Sequence, residues 1–182
     1  MNDLRTKAAI TVSPLSAADL ARHLVELGAL LHACVHDGAS VGFVLPYTEE
    51  EAAVFWREKV LPAAQAGRAL LLVARAAGRI VGTVVLDHDT MPNQRHRADA
   101  RKLLVHPDFR RQGIGRALMV ELERHARGLG RTLITLDTRT GDAAEPLYGA
   151  MGYQVAGVIP DYCRAPFEDR LEPTTIMYKR LA

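Results

Sequence analysis

Apolar residues recur along this chain at spacings that switch between helical and strand periods. Ala8 to Val12 reads as a first strand. Ser16, with Asp19 one turn on, reads as an N-cap, and Leu20, Leu24, Leu27 and Leu31 then make one face of a single helix. The small-residue stretch His36 to Gly42 reads as a loop. Thr48 with Glu51 repeats the capping signal ahead of Ala52, Trp56, Val60 and Ala64, again at helical spacing. Ala69 to Arg75 and Ile80 to Leu86 are β-rich runs around Ala76-Ala77-Gly78-Arg79, the pattern of a hairpin.

Beyond a polar loop at Met91 to Arg97, Asp99 to Val105 reads as a strand stopped by Pro107, which has no N–H for a ladder. Ile114, Leu118, Leu122, Ala126 and Leu129 form the apolar stripe of a helix that Gly130 closes. Thr132 to Leu136 (strand), Asp142 to Met151 (short helix), and Tyr153 to Ile159 and Thr175 to Leu181 (strands) complete the order βααβββαβαββ. With no repeat and no linker, the pattern predicts one layered domain over residues 1–182, of α/β or α+β class.

Composition narrows the function classes. Hydrophobic residues make up 48% and charged residues 24%, the balance of a soluble globular chain. A net charge of +2 with both signs interleaved gives no reason to expect nucleic acid. No apolar run approaches the ~20 residues of a membrane-spanning helix, so no membrane is expected, and Met1 to Val12 lacks the apolar core of a signal peptide. Cys34 and Cys163 are far apart and outside any CxxC pattern, so a disulfide framework is not expected and the cytoplasm is the default compartment.

The segment Leu103-Leu104-Val105-His106-Pro107-Asp108-Phe109-Arg110-Arg111-Gln112-Gly113-Ile114-Gly115-Arg116-Ala117-Leu118 carries the chemistry. An apolar strand ends, a turn follows, and two glycines open an amphipathic helix. Such a helix start presents unpaired N–H groups and the positive end of the macrodipole. Glycines let a bulky anion come close, and Arg110, Arg111 and Arg116 add charge suited to phosphate, so a diphosphate fits. A Walker A loop would need Lys then Ser or Thr where Arg116-Ala117 stands, and a dinucleotide fingerprint a glycine in place of Leu118.

Arg110-Arg111-Gln112-Gly113-Ile114-Gly115 resembles the Q/R-x-x-G-x-G/A motif of the GCN5-related N-acetyltransferases, and Leu147-Tyr148-Gly149-Ala150-Met151-Gly152-Tyr153 is similar to that family's later signature. The resemblance extends to the element order over nearly the whole chain. It implies a mixed, mostly antiparallel central sheet flanked by helices, splayed to admit acetyl-CoA as cosubstrate, with no metal. It also implies that Arg110, Arg111, Gln112, Gly113, Ile114, Gly115 and Arg116 hold the pyrophosphate. Leu103, Leu104 and Val105 would pair with the pantetheine arm, and an N–H near Val105 would stabilise the oxyanion formed when an amine attacks the thioester.

An ammonium cannot attack, so a proton must leave it. Asp99, opening the strand before the turn, and Asp137, ending the strand after the helix, are the candidates for base or for ammonium binding. Tyr148 is the candidate acid for the leaving thiolate, a role the resemblance also gives it. His36-Asp37-Gly38-Ala39-Ser40-Val41-Gly42-Phe43, Leu136-Asp137-Thr138 and Pro160-Asp161-Tyr162-Cys163 resemble more narrowly the tabtoxin-resistance branch. That likeness implies a small acceptor with a free amine, and a Glu–Asp pair mapping onto Asp99 and Asp137, with Asp99 one methylene shorter. His36, Ser40, Phe43 and Tyr162 are the expected acceptor-pocket residues, and a homodimer is expected.

Other signals point nowhere as well formed. His32, Cys34, His36 and Asp37 lack zinc spacing. Cys163 as an acyl carrier has no base placed for it by sequence. The basic run Arg95, His96, Arg97, Arg101, Lys102 has no interleaved aromatics for nucleic-acid stacking. Against a small-amine acetyltransferase stand two alternatives: a non-catalytic acyl-CoA-binding module, and a protein N-terminal or lysine acetyltransferase.

Overall fold

The computed structural model describes residues 9–182. Seven strands form one sheet: β1 (Ile10–Leu15), β2 (Ala69–Ala76), β3 (Arg79–Asp87), β4 (Arg97–Val105), β5 (Leu133–Arg139), β6 (Gln154–Arg164) and β7 (Leu171–Arg180). Their order is β1-β2-β3-β4-β5-β7-β6 in a 7-stranded sheet, and only β4 and β5 run parallel. Two apolar layers cover its faces. Helix α5 (Ile114–Gly128) buries Ile114, Leu118, Leu122 and Ala126 against one face, as its stripe predicts, while Leu129, expected in the same stripe, caps the helix and is exposed. On the other lie α1 (Ala17–Arg22), α2 (Leu24–His36), α3 (Glu49–Phe55) and α4 (Leu61–Gln65), around fully buried Leu27, Leu31 and Trp56. A short α6 (Ala144–Ala150) follows β5. The mixed, mostly antiparallel sheet with flanking helices is the fold class the sequence implies.

Local chemistry explains most boundaries. Thr48 and Glu51 close a reciprocal capping box, with Thr48 N–H donating to Glu51 Oε2 at 2.7 Å and Glu51 N–H to Thr48 Oγ1 at 3.1 Å. Between α3 and α4 the chain widens into a π-helical turn, Trp56–Val60, where Trp56 Nε1 donates to Leu27 O at 2.9 Å. Where one helix is expected from Ser16 onward, there are two. At His23 the backbone leaves helical geometry, and its ring Nδ1 lies 2.8 Å from Asp19 O. The first strand runs to Leu15 rather than ending at Val12, and the expected start at Ala8 lies outside the described residues. Met91 to Arg97 holds a 3-10 turn at Pro92–Gln94 before β4 begins.

The last two strands are longer than their sequence suggests. Pro160 sits in β6, an edge strand, within a register break between Ile159 and Cys163, so its missing N–H costs no ladder bond. Strand β7 pairs with β5 on one side and β6 on the other, inside its own chain. Among the described residues no helix is long and apolar enough to cross a membrane.

Candidate active site

The central cleft arises from a parting of strands. β4 and β5 pair only over Arg97↔Leu133, Ala98↔Ile134 and Asp99↔Thr135. Past Asp99, β4 runs on to Val105 and β5 to Arg139 without touching. A bulge in β4 accompanies the parting: Leu104 faces Thr83 and Arg101 faces Val85, so Lys102 and Leu103 oppose the single residue Val84. Lys102 takes φ +53°, and its carbonyl accepts from buried Thr83 Oγ1 at 3.1 Å. Bulges bend and twist the strand that carries them, which turns β4 away from β5.

Beyond the bulge, Gly82 lies opposite Val105 while His106 N–H donates to Val81 O at 2.9 Å. Antiparallel ladders alternate, so the Val105 N–H and C=O point away from β3 and into the opening. The carbonyl is already taken, by Cys34 Sγ at 3.5 Å and Arg110 Nε at 3.3 Å. The N–H remains directed at whatever enters the cleft.

A 3-10 turn, Pro107–Phe109, leads from β4 to α5. Arg111 adopts φ +60°, and Gly113, the N-cap of α5, adopts φ +81°, a conformation that suits glycine. The first hydrogen bond into the helix is Ala117 N–H to Gly113 O at 3.0 Å. The N–H groups of Arg111 through Arg116 therefore have no protein partner among the described residues. With the macrodipole behind them, and with Arg111 and Arg116 in no ion pair among the described residues, they fit a diphosphate.

The cleft is about 870 Å³ and is lined by both halves of the parted sheet, the α5 turn, and segments from α2, α6 and β6. Leu103, Leu104, Val105, Arg110, Arg111, Gly113, Ile114, Gly115 and Arg116 all line it; Gln112 does not. The Arg110 guanidinium is ion-paired to Asp37 at the end of α2, so it fastens that end to the turn.

Asp137 lines the cleft from the end of β5 and is exposed to it. Tyr148 lines it from α6 and is 6% exposed. Burial, then the charges of Asp137 and Asp142, push the Tyr148 phenol well above its ordinary range, so it keeps its proton and can donate one. Asp99 is placed otherwise. It sits at the last paired position of β4, accepts from Arg97 at 3.0 Å and from Thr135 Oγ1, and does not line the cleft. The expected Asp99–Asp137 pair is not brought together there: Asp99 holds the base of the parting and Asp137 its open side.

Of the expected acceptor residues, Ser40 and Tyr162 line the cleft. His36 does not: its Nε2 lies 2.9 Å from Tyr47 O and its ring packs on His32 at 4.0 Å between centroids. Phe43 packs beside the cleft, stacked on Tyr47 at 4.6 Å and edge-on to Phe55 at 5.2 Å.

Three residues that the sequence reading passed over belong to the site. Lys102 Nζ reaches across to Val41 O at 2.7 Å, over the rings of Phe43 and Phe55. Burial and Arg101 lower its pKa to about 8, against the opposing pull of Asp137. Arg139 lines the cleft but is tied to Asp142 at 3.3 Å and to buried Glu172 at 3.4 Å. Cys34 touches the Val105 carbonyl, and burial raises its thiol to about 11, leaving it an inert packing group. Cys163 meets Ser40 Oγ at 3.5 Å and the Glu172 carbonyl at 3.9 Å, neither of them a base. The basic run is likewise dispersed, with Arg97 on Asp99, Arg101 on Asp87 and Lys102 inside. Among the described residues no group of His, Cys, Asp and Glu side chains is placed to hold a metal ion.

Residues 67–155, from β2 through the turn that opens α5 to the start of β6, match the family model "Acetyltransferase (GNAT) domain". Solved structures share the fold over nearly the whole chain. The ribosomal-protein-alanine N-acetyltransferase from Brucella melitensis is 22% identical with TM-score 0.75, covering 94% of this chain and 99% of that one. The protein yncA from Salmonella typhimurium, solved with its cofactor acetyl-CoA, is 19% identical with TM-score 0.75, covering 96% and 95%. A structure provisionally named a phosphinothricin N-acetyltransferase is 17% identical with TM-score 0.75, covering 96% and 99%. The matched stretch contains the turn, so residues 67–155 are similar to an acetyltransferase (GNAT) domain, and the chain as a whole has the fold of these acetyltransferases. The activity this match indicates is that of an acetyltransferase.

Proposed function

We propose that this enzyme acetylates the primary amine of a small molecule. The observation that carries the reading is the roof over the acceptor end. The loop after α2 is stitched to the β6–β7 turn: Leu45 N–H donates to Pro166 O at 3.0 Å, and Ser40 meets Cys163. The Phe167 ring lies so close over Gly38 that a Cβ there would come within 3.0 Å of it. A loop fastened in this way leaves a pocket rather than an open groove for a folded protein. The segments Asp37 to Gly42, Asp137 to Thr138 and Tyr162 to Cys163, which resemble the tabtoxin-resistance branch, all line that end. This supports the narrower reading, a toxin- or antibiotic-modifying or metabolic enzyme of the cytoplasm.

Acetyl-CoA supplies the thioester acyl group. The N–H groups of Arg111 to Arg116, with the Arg111 and Arg116 side chains, hold its pyrophosphate. The Val105 N–H faces the opening and stabilises negative charge developing there. Asp137 holds the acceptor's ammonium and takes its proton, directly or through water, and Tyr148 donates a hydrogen bond to the departing sulfur. Asp99, neutralised by Arg97, takes no proton in this scheme.

Thiol release with acetyl-CoA across amino acids, polyamines, aminoglycosides and peptides tests the reading. Turnover is expected on at least one small amine. Turnover on peptides alone would overturn the small-molecule acceptor, and tight acetyl-CoA binding without turnover on any amine would favour a binding module.

A further inference from the structure

The charges lining the cleft separate into those that are spent and those that are free. Among its cations, Arg101 is paired with Asp87, Arg110 with Asp37, and Arg139 with Asp142 and Glu172. Arg111 and Arg116 belong to the pyrophosphate turn. The remaining cation is Lys102, which has no carboxylate within ion-pair distance among the described residues. It is held by a neutral carbonyl at 2.7 Å and by ring faces 5.2 and 5.5 Å away. Among the lining carboxylates, Asp37 and Asp142 are paired, which leaves Asp137.

Lys102 and Asp137 stand on opposite sides of the parting, near enough to feel each other's charge but without contact. A largely buried ammonium with only neutral partners is costly, and an anion at that position would relieve the cost. We infer that Lys102 reads an acid group on the acceptor while Asp137 receives its ammonium, so that the acceptor is a zwitterion of amino-acid type. The inference rests on the small-amine reading above and assigns to Lys102 a specificity role. Holding the Val41 carbonyl does not by itself call for a charge, since any hydrogen-bond donor could fasten the loop. The rings of Phe43 and Phe55 attract the ammonium through their quadrupoles but carry no charge to neutralise it.

The test compares matched pairs in a thiol-release assay: L-alanine with ethylamine, L-phenylalanine with phenethylamine, L-lysine with cadaverine. Wild-type enzyme is expected to favour the acid-bearing member by about tenfold or more in kcat/KM, through KM, as a charge-assisted contact implies. In Lys102→Met and Lys102→Gln that ratio should collapse toward one, and Lys102→Arg should retain part of it. Melting curves of the variants show that they fold. A wild-type preference for the plain amines, or a ratio unmoved in both neutral variants, would overturn the role of Lys102 while leaving the small-amine reading intact. Turnover on peptides alone would overturn both.

Discussion

At the proposed donor end of the cleft the groups available to a ligand are main-chain N–H groups, delivered by one continuous segment from Val105 to Arg116. At the proposed acceptor end the lining groups are side chains, Asp137, Lys102, Tyr148 and Tyr162, delivered by β5, a bulge in β4, α6 and β6. The donor end can stay rigid because backbone geometry sets it. The acceptor end depends on what each side chain is paired with, and most of its charges are committed elsewhere. In the proposed reading, recognition of a common cosubstrate and of a particular acceptor rest on different parts of the polypeptide, and each can be altered while the other is kept.

Asp137→Asn should separate the ends most sharply, lowering kcat/KM for the acceptor by about 100- to 10,000-fold, the range for loss of a general base. Gly113→Val attacks the other end. A β-branched residue is strained at φ +81°, so the turn should open and acetyl-CoA affinity fall by on the order of 100-fold by calorimetry, given 1–3 kcal/mol of strain plus lost N–H contacts. Tyr148→Phe should reduce kcat about tenfold with little change in either affinity, consistent with one donated hydrogen bond.

Lys102→Met sharpens the comparison through stability. In the folded protein the Lys102 pKa falls to about 8, so the unfolded chain binds more protons between pH 8 and 10.5. The wild type therefore carries a burial penalty at neutral pH that fades as pH rises through that window. Its size is at most about 3.5 kcal/mol, from the shift at ~1.4 kcal/mol per unit. The variant should melt higher at pH 7, and the gap should close toward pH 10. A variant that melts lower at pH 7 would show that the bond to Val41 outweighs the buried charge. The smallest effect belongs to Asp99→Asn: less than about threefold in kcat/KM, with stability reduced by at most about 1 kcal/mol for a half-buried ion pair. A large loss of turnover there would restore Asp99 to the proton path.

The donor end was legible in the sequence because its determinants are local. Gly113 and Gly115 follow a strand and open a helix within one short stretch, and glycine spacing speaks directly of backbone conformation. The Thr48–Glu51 capping box and the α5 stripe were legible for the same reason. The acceptor end was legible only where a motif resemblance reached it. Arg110 looked like a phosphate ligand, yet its guanidinium meets Asp37 from a distant segment. Asp99 looked equivalent to Asp137, but parallel pairing sets it beside Thr135 and Arg97 at the closed base of the parting. Lys102 was hidden by the bulge, since regular alternation along β4 gives no hint that Lys102 and Leu103 share one register position opposite Val84. The break at His23 depends on a local backbone choice, and the passage of β6 through Pro160 depends on an edge position. Neither leaves a mark in hydrophobic periodicity.

The central claim is tested most directly by calorimetric titration of acetyl-CoA into Asp137→Asn, the variant expected to have lost turnover. The account predicts a dissociation constant within about twofold of wild type, because no group that holds the pyrophosphate is altered. Affinity that falls in parallel with turnover would contradict it, and would mean that the two ends of the cleft are one coupled site.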